Sequence, residues 1–263
     1  LCCLFAVSCT CGNESVYQQH LIRIDEALER ADEYVNMKQQ KISTIENMLN
    51  SRGVTPLQQY HIYRQLFIEY QPFQFDKAKE TLERQLVIAK QIASDSLQHC
   101  TMLDMAMLHT TAGFYLEADE IFAQIDTASL TLDQKVYWYD ARQKFLHDYQ
   151  EYVTTSSIEV PDASQITRYQ DRILEITSDD IPLNRHIRIL RIIESRDFEK
   201  AYEENMAFIA SLDKTSRDYA VQTYWQGYIC ENLDRTEELI KWWTESALCD
   251  IQGAIKDNAS LCS

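Results

Sequence analysis

Apolar positions recur at helical spacing along almost the whole chain. Leu21, Ile24, Leu28, Ala31, Tyr34 and Val35 fall three or four residues apart, and Ile42, Ile45, Met48 and Leu49 resume the pattern. Residues 14–52 therefore read as one long helix or a broken pair. Gly53 closes it as a C-terminal cap. Thr55 then caps a new helix, Pro56 occupies its first turn and Gln58 completes a capping box. That helix runs to Tyr70, ahead of Pro72. Further helices are predicted over 76–93, 96–112, 115–125, 133–152, 164–177, 182–194, 198–212, 216–232 and 236–248. The 154–163 segment, rich in Ser and Thr and containing Pro161, is the one long loop expected. Only 5 Gly and 4 Pro occur in 263 residues, too few for the turns of a strand-rich or α/β fold.

The helices come in pairs, and the pairs repeat. Ala106, Gly113, Tyr115, Ala118 and Phe122 sit at the offsets of a tetratricopeptide repeat: a small residue where paired helices approach, an aromatic opening the second helix, Ala at the crossing and an aromatic four residues on. Leu66, Phe75, Ala78 and Leu82 repeat the pattern 40 residues earlier. Ile189, Phe198 and Ala201 repeat part of it, as do Gly227, Asp234, Leu239 and Trp243. The crossing residues Ala78, Ala118, Ala201 and Leu239 are spaced by 40, 83 and 38, so one degenerate repeat covers 133–178. The expected fold is all-α: a right-handed solenoid of stacked helix hairpins, tetratricopeptide-like, with a period near 40 residues. Because each repeat buries its face only against neighbours, 13–263 is read as one domain.

A net charge of −16 repels phosphate backbones and anionic lipid, which argues against nucleic acid as a partner. The opening run Leu1, Cys2, Cys3, Leu4, Phe5, Ala6, Val7 is apolar, and small residues follow. Residues 1–12 read as the remnant of a secretion signal, with cleavage after Ser8 or, alternatively, lipidation at Cys9. The expected location is thus outside the cytoplasm, on the periplasmic side of the inner membrane. Beyond this run no stretch of ~18 apolar residues occurs. Cys100, Cys230, Cys249 and Cys262 lie far apart on apolar faces, which suits small buried hydrophobes better than a disulfide framework.

Catalytic motifs are missing. The closest two glycines, Gly227 and Gly253, are 26 residues apart, which leaves no phosphate-binding loop or nucleophile elbow. His99, Cys100 and Asp104 share one helix but lack the further ligands a metal needs, so no metal, cofactor or catalytic residue is expected. Acidic pairs such as Glu237 and Glu238 lie at helix starts or on polar faces, where they complement the dipole. The candidate site is aromatic. In the repeat register, Tyr60, Tyr63, Phe67 and Tyr70, Leu103 and Met107, and Tyr224 and Tyr228 fall on the groove-lining face of the first helix of each pair. Tyrosine suits peptides or sugars; the alternative is that these rings pack between repeats. Tyr137, Trp138 and Tyr139 are consecutive and cannot share one face.

Three stretches resemble a family of exported tetratricopeptide proteins from Bacteroidetes: YVNMKQQKI from Tyr34, QYHIYRQLFIEYQPFQFDKA from Gln59 and DNASL from Asp257. The resemblance implies a membrane-anchored transcriptional regulator, with a membrane helix and an output domain of unknown function following the repeats. The chain is then expected to be a fragment ending inside its array, with another repeat opening at Asn258. It would be the non-catalytic sensing or partner-binding portion, its partner a protein or peptide, with a small ligand or glycan as the other possibility. Membrane association would come only through missing parts or a lipidated N-terminus. The alternative role is an exported surface lipoprotein that binds glycans or peptides.

Overall fold

A computed structural model describes residues 11–153 and 164–255. The secretion-signal remnant through Cys9, the 154–163 loop, Cys262 and the repeat expected at Asn258 lie outside the described residues. The described residues are helices joined by turns: α1 (Cys11–Glu29), α2 (Ala31–Leu49), α3 (Pro56–Tyr70), α4 (Phe75–Gln91), α5 (Asp95–Thr111), α6 (Tyr115–Ala123), α7 (Leu132–Val153), α8 (Ser164–Ile176), α9 (Pro182–Glu194), α10 (Phe198–Ile209), α11 (Arg217–Asn232) and α12 (Thr236–Gln252). The fold is thus an all-α helical repeat, as the periodicity requires. The first helical stretch is the broken pair: α1 stops at Arg30, whose guanidinium bonds Glu33 at 2.8 Å.

Short polar residues set the helix starts. Thr55 accepts from the Gln58 amide while the Gln58 side chain accepts from the Thr55 amide. Thr131 and Gln134 form the same reciprocal pair before α7, and Ser94, Asp197 and Ser216 cap α5, α10 and α11. The stops are equally regular. Gly113, Arg196 and Asp234 follow the first helices of three pairs, all with positive φ, at 79°, 61° and 58°. In each case the next amide reaches back five residues: Phe114 to His109, Asp197 to Ile192, Arg235 to Cys230. This is the left-handed closure that satisfies the last carbonyls of a helix. The repeat pattern marks Gly113 and Asp234, 121 residues on, and Arg196 stands at the same register 83 residues after Gly113.

The described residues group into two compact units, those within 38–187 and those within 1–37 together with 188–263. In the first unit each helix packs on its partner and on the next pair: α3 on α4, α4 on α5, α5 on α6 and α7, α7 on α8. The crossing residues Ala78 and Ala118 are fully buried. Leu103, Ala106, Phe122 and Phe145 join Ala118 in one core cluster, where Arg142 lies 4.9 Å over the Phe122 ring. The α7–α8 pair is the degenerate repeat. Its first helix has 22 residues against 17 in α5, and α8 buries Gln170 and Ile173 where an Ala crossing would be expected.

In the second unit α10 packs on α11, α11 on α12, and α1 on α12. Ala201 is fully buried. Arg23 pairs with Glu245 at 2.7 Å to tie α1 down. The face of α1 differs from the periodicity reading: Ala27 is buried while Leu21 and Leu28 stay exposed, a rotation of about one residue, or roughly 100°. Gly227 of α11 meets Trp243 of α12 directly. A Cβ at Gly227 would lie 2.2 Å from the indole Cδ1, so the indole fills space that any other residue would occupy.

Candidate functional site

The eight groove candidates divide by burial. Tyr60 is 1 % exposed. Its hydroxyl reaches the Leu97 carbonyl at 3.2 Å and Thr101 Oγ1 at 3.1 Å, and burial pushes its pKa up. Phe67 is 4 % exposed, and Leu103 is fully buried in the core cluster. Tyr70 is buried and donates to Glu46 Oε1 at 2.8 Å; burial, with Glu46 beside it, raises its pKa to about 12. Met107 is half-buried against the same core. These five therefore pack between helices instead of lining a groove. The reason is that neighbouring first helices lie close enough for α3 rings to bond α5.

Tyr63, Tyr224 and Tyr228 keep solvent access. Tyr63 lines an open cleft of about 360 Å³ with Gln59 of α3 and Glu80, Glu83, Arg84, Val87 and Ile88 of α4. The α4 residues are spaced i, i+3, i+4, i+7, i+8, which places them on one face. Glu80 is neutralised: Lys77 reaches it at 3.2 Å and Arg84 at 3.1 Å, and the hydrogen bond from Lys77, then that from Arg84, holds its carboxyl below the ordinary value. In the other unit Tyr224 is 39 % exposed. Its ring stands edge-on to Trp225 at 5.9 Å, and Trp225 to Tyr228 at 5.7 Å. Tyr137, Trp138 and Tyr139 are all half-buried; Trp138 and Tyr139 contact Tyr169 of α8, while Tyr137 points elsewhere.

Tyr137 takes part in a buried joint absent from the expectation. Asp104 of α5 accepts from Arg64 Nη1 of α3 at 2.6 Å and from the Tyr137 hydroxyl of α7 at 2.9 Å. Burial raises the Asp104 pKa, against the pull of Arg64 and Tyr137, and it carries the Tyr137 phenol well above its ordinary value. One carboxylate thus links three successive first helices. Both its oxygens are taken, so Asp104 is not a free ligand beside His99 and Cys100. A signal did exist: Arg64 and Asp104 are opposite charges 40 residues apart, one repeat period.

The cysteines are free thiols among the described residues. Cys249 lies 3.4 Å from the Lys214 carbonyl, ahead of α11, whereas Cys230 is near the far end of α11, about 24 Å along the axis at 1.5 Å per residue. They cannot bridge. Burial pushes both thiols up to about 11, which keeps them protonated.

The repeat architecture agrees with comparison to known families, where residues 28–263 match the model of the SusR N-terminal TPR domain. The chain belongs to that family. A SusR-type tetratricopeptide domain is a helical-repeat scaffold, and tetratricopeptide domains generally mediate protein–protein interactions. No curated protein matches the chain. Within this SusR-type repeat no described helix is long and apolar enough to cross a membrane.

Proposed function

We propose that this chain is a non-catalytic, partner-binding scaffold that works outside the cytoplasm as the sensing portion of a membrane-associated regulator. One observation carries the partner-binding part: Tyr63 stands in an open cleft while the tyrosines around it are consumed in packing. A half-exposed tyrosine is ordinary by itself, but this one lines an open cleft beside exposed Val87, and a ring held on a rigid helix suits recognition. The apolar start of the chain supports export. Binding at α3 and α4 would bear on the Arg64–Asp104–Tyr137 joint, which ties α3 to α5 and α7, and so pass from pair to pair.

Phe67 is not a valid probe of this site, because removing a ring only 4 % exposed leaves a cavity. The test places a photo-crosslinking phenylalanine analogue at Tyr63 and at Tyr224, with exposed Lys79 as the control, in the organism that makes the protein. A discrete adduct at Tyr63, with none at Lys79, is expected. Equal yields at all three positions overturn the reading. Mass analysis of the mature N-terminus reads export separately: a cut end after Ser8 is expected, and an uncut chain removes the extracytoplasmic role.

A further inference from the structure

We infer that the α3–α4 cleft docks an extended peptide that presents a basic side chain next to an aliphatic one. The inference rests on the partner-binding reading and adds the chemistry of the partner. Around the cleft three features are left unused by the fold. Glu83 is exposed and its side chain makes no ion pair or hydrogen bond among the described residues, while Glu80 one turn away is paired with Lys77 and Arg84. Val87, one turn along from Glu83, is 65 % exposed, and Ile88 and the Tyr63 ring continue its apolar wall. The Gln59 side-chain amide, with no hydrogen-bond partner among the described residues, lines the same cleft from α3.

The charges decide the sign of the occupant. Arg84, the cation among the lining residues, is exposed but already shared with the Glu80 carboxylate and the Tyr63 hydroxyl, which weakens its pull on an anion. Glu83 offers a cation an open carboxylate. A net charge of −16 steers basic partners toward the chain and away from acidic ones. Residues two apart on an extended chain share one side, so a Lys–x–Leu pattern sets ammonium and isobutyl groups on that side, for Glu83 and for Val87 with Tyr63. The Gln59 amide, donor and acceptor in one group, suits the peptide backbone between them.

The experiment is fluorescence anisotropy with the full chain and a labelled peptide of alternating Lys–Gly–Leu–Gly units, against the same peptide with Glu in place of Lys. Binding of the basic peptide alone is expected. Glu83→Lys and the charge-neutral Val87→Ser are each expected to weaken it about tenfold, the scale of one charge or apolar contact near 1.4 kcal/mol. Both positions are exposed, so both variants fold, and circular dichroism verifies it. Glu117→Lys on exposed α6 makes the same charge change elsewhere and should shift affinity less than about twofold, within surface screening. Equal weakening by Glu117→Lys reduces the effect to net charge and overturns the inference, as does binding unmoved by Val87→Ser. A Tyr63 adduct in the cross-linking test with no affinity for the basic peptide retains the partner-binding reading and removes only this one.

Discussion

Gly227→Ala is the most exposed test of the packing described above. The added methyl would lie 2.2 Å from Trp243 Cδ1, 2.3 Å from Nε1 and 2.9 Å from Cγ. Carbon contacts settle near 3.5–4.0 Å, so the indole must retreat by roughly 1.3 Å or more. That retreat strains the 3.3 Å bond from Trp243 Nε1 to the Tyr224 carbonyl and opens the α11–α12 seam. Overpacking of this kind costs about 1–3 kcal/mol, and expelling the ring altogether would cost about 3–5 kcal/mol. Against it stands about 1 kcal/mol gained by Ala over Gly inside a helix. A retreat this large places the overpacking at the upper end of that range, about 2–3 kcal/mol, so the net expectation is destabilisation by about 1–2 kcal/mol, read by urea unfolding followed at 222 nm. The decisive step is the same substitution in a Trp243→Ala background. With the indole gone the clash vanishes and only helix propensity is left, so Gly227→Ala should then stabilise by about 0.5–1 kcal/mol. A substitution that is neutral in the native background, or that has the same sign in both, refutes the proposed contact.

Three further outcomes follow from the same structure. Arg196→Gly and Asp234→Gly, at φ 61° and 58°, should each stabilise by about 0.5–1 kcal/mol by removing left-handed strain, and Gly113→Ala should cost about 1 kcal/mol; thermal unfolding of the three variants checks the signs. Burial pushes the Glu69 carboxyl up, but hydrogen bonds from Lys38 at 2.8 Å and Lys41 at 2.6 Å hold it below its ordinary 4.5. Its contribution is therefore present above pH 4.5 and lost as pH falls through the lowered value, so Glu69→Gln should reduce Tm at pH 7, by an amount that shrinks as the pH is taken down through the acid range. Phe67→Ala should cost about 3–5 kcal/mol and Tyr63→Ala less than about 1 kcal/mol, compared by denaturant midpoint; similar losses would contradict their different burial.

Much of the fold was legible because local chemistry and tertiary packing agree. Thr55, Pro56 and Gln58 announce a helix start with their own side chains, and the capping box forms as written. Ala106 with Phe122, and Gly227 with Trp243 at the same register 121 residues on, trade volume between facing helices: the larger ring stands opposite the smaller residue. That complementarity is visible in a string of letters once the period is found. The turns at 195–197 and 233–235 were legible from the helix ends, and Asp tolerates the left-handed conformation of Asp234, but Arg196 does not announce it, because there the closing hydrogen bonds impose it. The turn of α1 that buries Ala27 was hidden because Leu21 and Leu28 outweigh Ala27 in any count of apolar positions, while the choice is made by α12, far away in sequence.

The candidate site shows where periodicity stops being informative. Tyr60, Tyr63, Phe67 and Tyr70 lie within three turns of one helix, and spacing alone assigns them one fate. What separates them is the supply of partners. Tyr60 finds the Leu97 carbonyl and Thr101 on α5, and Tyr70 finds Glu46 on α2; a phenol with an acceptor in reach can be buried at little cost. Tyr63 faces α4, where exposed Glu80 is already held by Lys77 and Arg84 and its own hydroxyl meets only exposed Arg84, so its ring stays at the surface and lines a cleft. The same logic locates the Asp104 joint, where Arg64 and Tyr137 supply both partners of one buried carboxylate. In a repeat protein, polar side chains one period apart are candidates to meet, and an aromatic residue without such a counterpart is the one left for a partner to cover.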